Sequence, residues 1–196
     1  MKPTTMLPVL MLAALASVPA SAHTVQYSAA LSGAAEAPPN ASAGTGTVLV
    51  TVDLDLARMR VETSFGGLSG NTTNSHIHCC TAVAGTGTAG VATPLPTFPG
   101  FPAGVTAGTY DNTFDLTLAS SYNPAFVTNN GGTVSGAMNA LIAGLDAGKA
   151  YLNIHTSTFG GGEIRGFPEA VPVPAALWLM GAAVAGLAGF TRRRAA

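Results

Sequence analysis

Apolar residues recur at every second position through much of the chain interior. In 47-TVLVTVDLDLARMRVETSF-65, Val48, Val50 and Val52, then Leu54 and Leu56, alternate with threonine, aspartate and leucine. Val61 resumes the alternation after a turn near Ala57-Arg58. A period of two sends successive side chains to opposite faces, so the stretch predicts a β-hairpin. An earlier strand, 24-TVQYSAALSG-33, runs up to the Pro-Pro of 36-EAPPN-40. A later one, 112-NTFDLTL-118, carries Phe114, Leu116 and Leu118 on one face. The pattern in 137-AMNALIAGLDAGK-149 suits one helical turn or a short helix closed by Gly148. A final hairpin is predicted from 150-AYLNIHT-156 and 163-EIRGF-167 across 157-STFGGG-162. The fold class expected is all-β, a single sandwich or barrel-like domain of about seven or eight strands.

Two stretches break the alternation. Between Thr81 and Tyr110 glycine, threonine, alanine and proline dominate, with Phe98 and Phe101 as isolated anchors. A loop of that length in a compact domain is either functional or mobile. It directly follows 75-SHIHCC-80, over which it is placed to act as a lid. The other exceptions are the two ends. The run 6-MLPVLMLAALASVP-19, with Lys2 before it and 20-ASA-22 after it, reads as a signal peptide over 1–22. Near the other end, 175-AALWLMGAAVAGLAGF-190 followed by 191-TRRRAA-196 reads as a transmembrane helix over about 175–191, its arginines cytoplasmic.

Composition then narrows the partners. Residues 23–170 retain Arg58, Arg60, Lys149 and Arg165 against all nine acids, a net charge of −5. Such a surface argues against nucleic acid or anionic lipid as a partner. Two cysteines in an exported chain normally make one disulfide, but Cys79 and Cys80 are neighbours, and a bond between them would close no loop of any length.

The candidate chemistry lies in the histidines. On a strand, His76 and His78 project side by side, with Ile77 opposite. His155 sits in another predicted strand with Asn153 on its face. If those strands are neighbours, His76, His78 and His155 form a cluster suited to Cu or Zn. The alternative is that the rings pack at a half-buried edge and hydrogen-bond to backbone, Glu163 or Arg165. Cys79 falls on the face of Ile77, so the cysteines are a candidate redox pair rather than automatic ligands. Glu163 and Arg165 share a face and are read as a structural ion pair of the last strand. Tyr27, Tyr110, Tyr122, Tyr151 and the Phe98–Phe101 loop are the aromatics available to stack on an extracellular polysaccharide. No Ser-His-Asp spacing and no carboxylate pair stands out, so the chain is expected not to be an enzyme.

Two resemblances sharpen this. Val171-Pro172-Val173-Pro174-Ala175, then an apolar helix with Trp178, then Arg192–Arg194, resembles the PEP-CTERM sorting tails, closest to the variant read V-P-L-P-A; Val173 stands where the strict motif has glutamate. The resemblance implies an exosortase-type protease as partner, passage through the inner membrane, and delivery to the cell surface or matrix of a Gram-negative bacterium. Four pieces in order, 31-LSGAAEAPPN-40, 66-GGLSG-70 with 76-HIH-78, 150-AYLNIHT-156 and 161-GGEIRG-166, resemble the CHRD domain first described in chordin. That implies an extracellular β-sandwich-like fold over 23–170, and it does not imply an enzyme, since the family has no settled catalytic function. Cys79-Cys80 departs from the turn usual there. The expectation is therefore an exported surface or matrix β-domain, with a metal-binding or redox protein built on the histidines as the alternative.

Overall fold

The alternation read in the chain becomes one antiparallel sheet. The computed structural model describes residues 23–172. Its strands are β1 (Thr24–Ser32), β2 (Thr45–Asp53), β3 (Arg58–Gly66), β4 (Thr72–His78), β5 (Gly108–Asp115), β6 (Tyr151–Thr156), β7 (Ile164–Gly166) and β8 (Glu169–Ala170). The order across the sheet is β4-β6-β7-β1-β2-β3-β5, with β8 added alongside β1. All described strands belong to this one sheet, which curls into a half-barrel. Of the two expected forms it is therefore the barrel-like one, and the second sheet of a sandwich is replaced by other elements. The expected signal peptide, the transmembrane helix and positions 173–175 of the sorting motif lie outside the described residues. Among those described, no helix is long and apolar enough to cross a membrane.

The valines of β2 behave as their spacing predicts. Val48, Val50 and Val52 face a core shared with Tyr27 and Leu31 of β1, Met59, Val61 and Phe65 of β3, and Phe114 of β5. Leu54 and Leu56 do not continue the pattern and are 47% and 60% exposed. The Asp53 carboxylate accepts the backbone N–H groups of Asp55 and Leu56, which ends β2 in a turn before the leucines reach the core. The strand placed at 112–118 is shifted in the same way. β5 starts earlier, and Leu118 falls beyond it and is exposed.

Helix is more extensive than the sequence pattern suggests. The helix α1 (Pro124–Asn129) is capped by Asn123, whose side chain accepts from Ala125 N–H. It is followed by α2 (Val134–Asp146), capped by Thr133 and closed at Gly148 (φ +63°). Asn-Pro at 123–124 is a helix-start signal, with the cap before the proline at the first helical position. Leu141 and Leu145 of α2 enter the core.

The segment after β4 seals a sheet edge. Cys79 N–H donates to Gly90 O (3.0 Å), Ala92 N–H to Ile77 O (2.9 Å), Phe98 N–H to Ser75 O (3.0 Å) and Gly104 N–H to Thr72 O (2.8 Å). An edge strand left bare would template pairing with other chains. Phe98 and Phe101 nail the segment down, stacking on Tyr110 and Phe65 at ring-centroid distances of 5.5 Å each. It then continues into β5, the opposite edge of the sheet, so one stretch of chain spans the open side of the half-barrel.

Candidate metal centre

β4 and β6 are hydrogen-bonded neighbours, with His76 opposite Asn153, His78 opposite Tyr151 and Asn74 opposite His155. Residues opposed across a ladder share a face, as do residues two apart along a strand. His76, His78 and His155 therefore project together, while Ile77, Leu152 and Ile154 point into the core. Ring centroids are 5.2 Å apart for His76 and His155, 5.6 Å for His76 and His78, and 5.9 Å for His78 and His155. One ring nitrogen from each lies within 4.8 Å of the other two. Three nitrogens held about 2.0–2.1 Å from one ion sit about 3.4 Å apart, so small ring rotations close the set.

The face that carries these rings is turned away from the core yet buried, because loops lie over it. Those loops supply one acceptor to each imidazole. His76 Nε2 meets Pro96 O (2.6 Å), His78 Nδ1 meets Ala89 O (2.9 Å) and His155 Nδ1 meets Gly160 O (3.0 Å). A carbonyl oxygen only accepts, so each of those nitrogens donates a proton and the opposite nitrogen of the ring is left bare. His76 Nδ1, His78 Nε2 and His155 Nε2 are buried and have no hydrogen-bond partner in the protein. Burial pushes all three rings below the usual histidine range, His78 to about 4, so they are neutral at neutral pH. Fixing a ligand's tautomer through a hydrogen bond on its far nitrogen is how metal-binding imidazoles are oriented. The segment expected as a lid is thus fixed against β4 and provides two of the three orienting carbonyls.

Around the rings lies a polar shell. Tyr151 stacks on His78, centroids 4.7 Å apart and planes 3° from parallel. The Arg165 guanidinium lies 4.8 Å over the Tyr151 ring and 5.4 Å over Phe167. It also donates to Ala35 O and Gly87 O and faces Glu36 Oε2 at 3.7 Å. The other Glu36 oxygen, and the Asn153 side-chain oxygen beside it, have no hydrogen-bond partner. Burial raises the Glu36 carboxyl to about 7, against the pull of Arg165. Gly162 makes room for this contact. With φ at +131° its backbone suits glycine, and a Cβ there would lie 2.4 Å from Asn153 Nδ2 and 2.8 Å from Glu36 Oε1.

The expected ion pair between Glu163 and Arg165 is not formed. Arg165 turns to Glu36, as above. Glu163 precedes β7 and swings to the other side, where its carboxylate accepts from Ser42 Oγ (2.6 Å), Ser69 N (2.6 Å), Ser69 Oγ (2.9 Å), Gly70 N (3.3 Å) and Thr156 Oγ1 (2.6 Å). Burial pushes its pKa up, but these donors outweigh it and hold the carboxyl below the usual range. Spacing of two predicted a shared face. It fails because Glu163 N–H already bonds to Ile154 O, one residue out of step with the Ile154–Ile164 pair.

Cys79 and Cys80 are joined to each other in a disulfide, and there is no free cysteine among the described residues. They lie against α2, away from the imidazoles, on Gly144, where a Cβ would come 2.2 Å from Cys79 Sγ and 2.6 Å from Cys80 Sγ. Val171 and Pro172, the described part of the expected sorting motif, are exposed, Val171 N–H donating to Gln26 O of β1. The aromatics considered for sugar stacking, Tyr27, Tyr110, Tyr122, Tyr151, Phe98 and Phe101, are all buried and form no exposed platform. Glu36 and the three loop carbonyls escaped the sequence reading. Glu36 had a signal, as a lone acid between alanines before Pro-Pro; the carbonyls had none, since any residue supplies one.

The four sequence pieces singled out earlier meet at this end of the sheet. Asn40 donates to Gly162 O and Glu163 O, Glu163 gathers Ser69 and Gly70, and Thr156 completes its set. No curated protein and no solved structure matches the chain. The family model described as CHRD domain matches residues 27–167, from β1 to just beyond β7, and the chain belongs to the CHRD domain family, an extracellular type of β domain.

Proposed function

We propose that the protein is an exported surface or matrix β-domain that holds one transition-metal ion, Cu or Zn, at His76, His78 and His155, without catalysing a reaction. One observation carries the metal reading. Three bare, neutral, buried imidazole nitrogens converge, each set by a backbone carbonyl on the far side of its ring. Leaving three such acceptors unpaired costs free energy, which a bound ion repays. The extracellular character of the CHRD domain supports export and fits a non-catalytic role. The Val171–Ala175 motif, the apolar run after it and the terminal arginines support sorting by an exosortase-type protease at the inner membrane.

The test is metal analysis of the full-length protein, produced by an exporting host and extracted in detergent. About one Cu or Zn per chain is expected, and none in the double variant His76→Ala/His78→Ala. A parent that stays metal-free after reconstitution with both ions overturns the metal reading. Recovery of the protein inside the cell with its first residues uncleaved overturns the export reading.

A further inference from the structure

The donor set has a charge, and that charge selects the ion. All three donors are neutral imidazoles, with no carboxylate or thiolate among them. His76 is 4% and His155 8% exposed, so water does little to offset charge placed between them. Beyond the rings stand Arg165 and Glu36, 3.7 Å apart; with its carboxyl raised to about 7, Glu36 offsets the guanidinium only in part near neutral pH. What field remains at the rings is positive, because the Arg165 guanidinium lies over Tyr151, which stacks on His78.

The cost of placing an ion in such surroundings rises with the square of its charge, so a divalent ion costs about four times as much as a monovalent one of similar size. Divalent zinc on three protein ligands also needs a fourth ligand, usually water or hydroxide. Imidazole suits copper as well as zinc, and monovalent copper, a d10 ion, needs no fourth ligand beyond three nitrogen donors. Resting on the reading of His76, His78 and His155 as a metal centre, we infer that this site is built for monovalent copper in preference to divalent zinc.

The experiment uses the full-length protein, stripped of metal and kept under nitrogen. Cu(I) is offered in competition with bicinchoninate, and Zn(II) in competition with pyridylazoresorcinol. One equivalent of Cu(I) should be retained, with an affinity at least about 100-fold above that for Zn(II). X-ray absorption of the loaded parent should show three-coordinate Cu(I) with nitrogen neighbours and no sulfur. The variant His155→Asp puts a carboxylate into the donor set and should reverse the preference towards Zn(II), with circular dichroism confirming its fold. If the parent holds Zn(II) as tightly as Cu(I), the monovalent preference is overturned while the metal centre stands. If neither ion is retained, both are overturned. Should His155→Asp fold and keep the parental order, charge is not what selects the ion. Should it not fold, four-coordination or sulfur in the parent's absorption spectrum overturns the inference by itself.

Discussion

The two ends of the sheet obey different rules. Along β2 burial alternates, with valines inward and Thr47, Leu49 and Thr51 outward. Along β6 every residue is buried, on both faces. At the β2 end, polar side chains meet water and their pairing matters little. Arg60 makes a two-pronged ion pair to Asp111 (2.8 and 2.6 Å) and another to Glu62 (3.1 Å), all on an open surface. At the β6 end, polar side chains are shut under loops, where an unmade hydrogen bond is expensive. The buried side-chain polar atoms without a partner, among the described residues, belong to Glu36, His76, His78, Asn153 and His155, all at that end. Their gathering at one end locates the candidate site more firmly than the H-x-H spacing does.

The comparison breaks most sharply at Glu163. Its carboxylate ties the chain before β2, the stretch 66–70 and β6 into one knot. Glu163→Ala leaves the buried Thr156 hydroxyl and Gly70 N–H without an acceptor, along with the part-buried bonds from Ser42 and Ser69, and should destabilise by about 3 kcal/mol, read from urea unfolding of the purified protein. A loss no larger than that of a surface substitution would erase the difference between the two ends.

A smaller effect, with a sign that depends on pH, is expected at Glu36. Its folded-state pKa stands at about 7, above the ordinary 4.5. The protonated acid therefore favours the fold: the contribution is whole below pH 4.5 and is lost as pH rises through 7. Glu36→Gln is neutral throughout, so its stability relative to the parent should rise by about 2 kcal/mol as pH goes from about 5 to about 8. Unfolding midpoints of both proteins across that range check it, and parallel curves would contradict it. The smallest effect belongs to the open end. Asp111→Asn removes the exposed pair with Arg60 and should leave the unfolding midpoint unchanged within error, at low and high salt alike.

Much of the architecture was legible because β-alternation is local. Val48, Val50, Val52 and Val61 faced inward as their period required, and the hairpin of β6 and β7 fell where its two runs were read. Leu54 and Leu56 misled because apolar spacing is silent about where a turn captures the backbone, which Asp53 did. The length of α2 was underestimated because Gly136 and Gly144 dilute its helical signal; Gly144 is there for the disulfide.

For the site the division is similar. His76 and His78 share a face because a strand has a period of two, and no tertiary information is needed for that. Neutral donors and the absence of a nearby thiolate follow only from the packing: the cysteines are bonded to each other on the far side of β4, and burial removes the protons from the rings. The adjacency of β4 and β6, separated by more than seventy residues of chain, is a choice of strand order, and a strand's own sequence does not encode its neighbours. The sequence by itself determined which residues can act as ligands and on which face of each strand they stand. Tertiary structure decided that those faces meet, which nitrogen of each ring is bare, and that Arg165 answers Glu36 rather than Glu163, because all of these depend on contacts between residues distant in the chain.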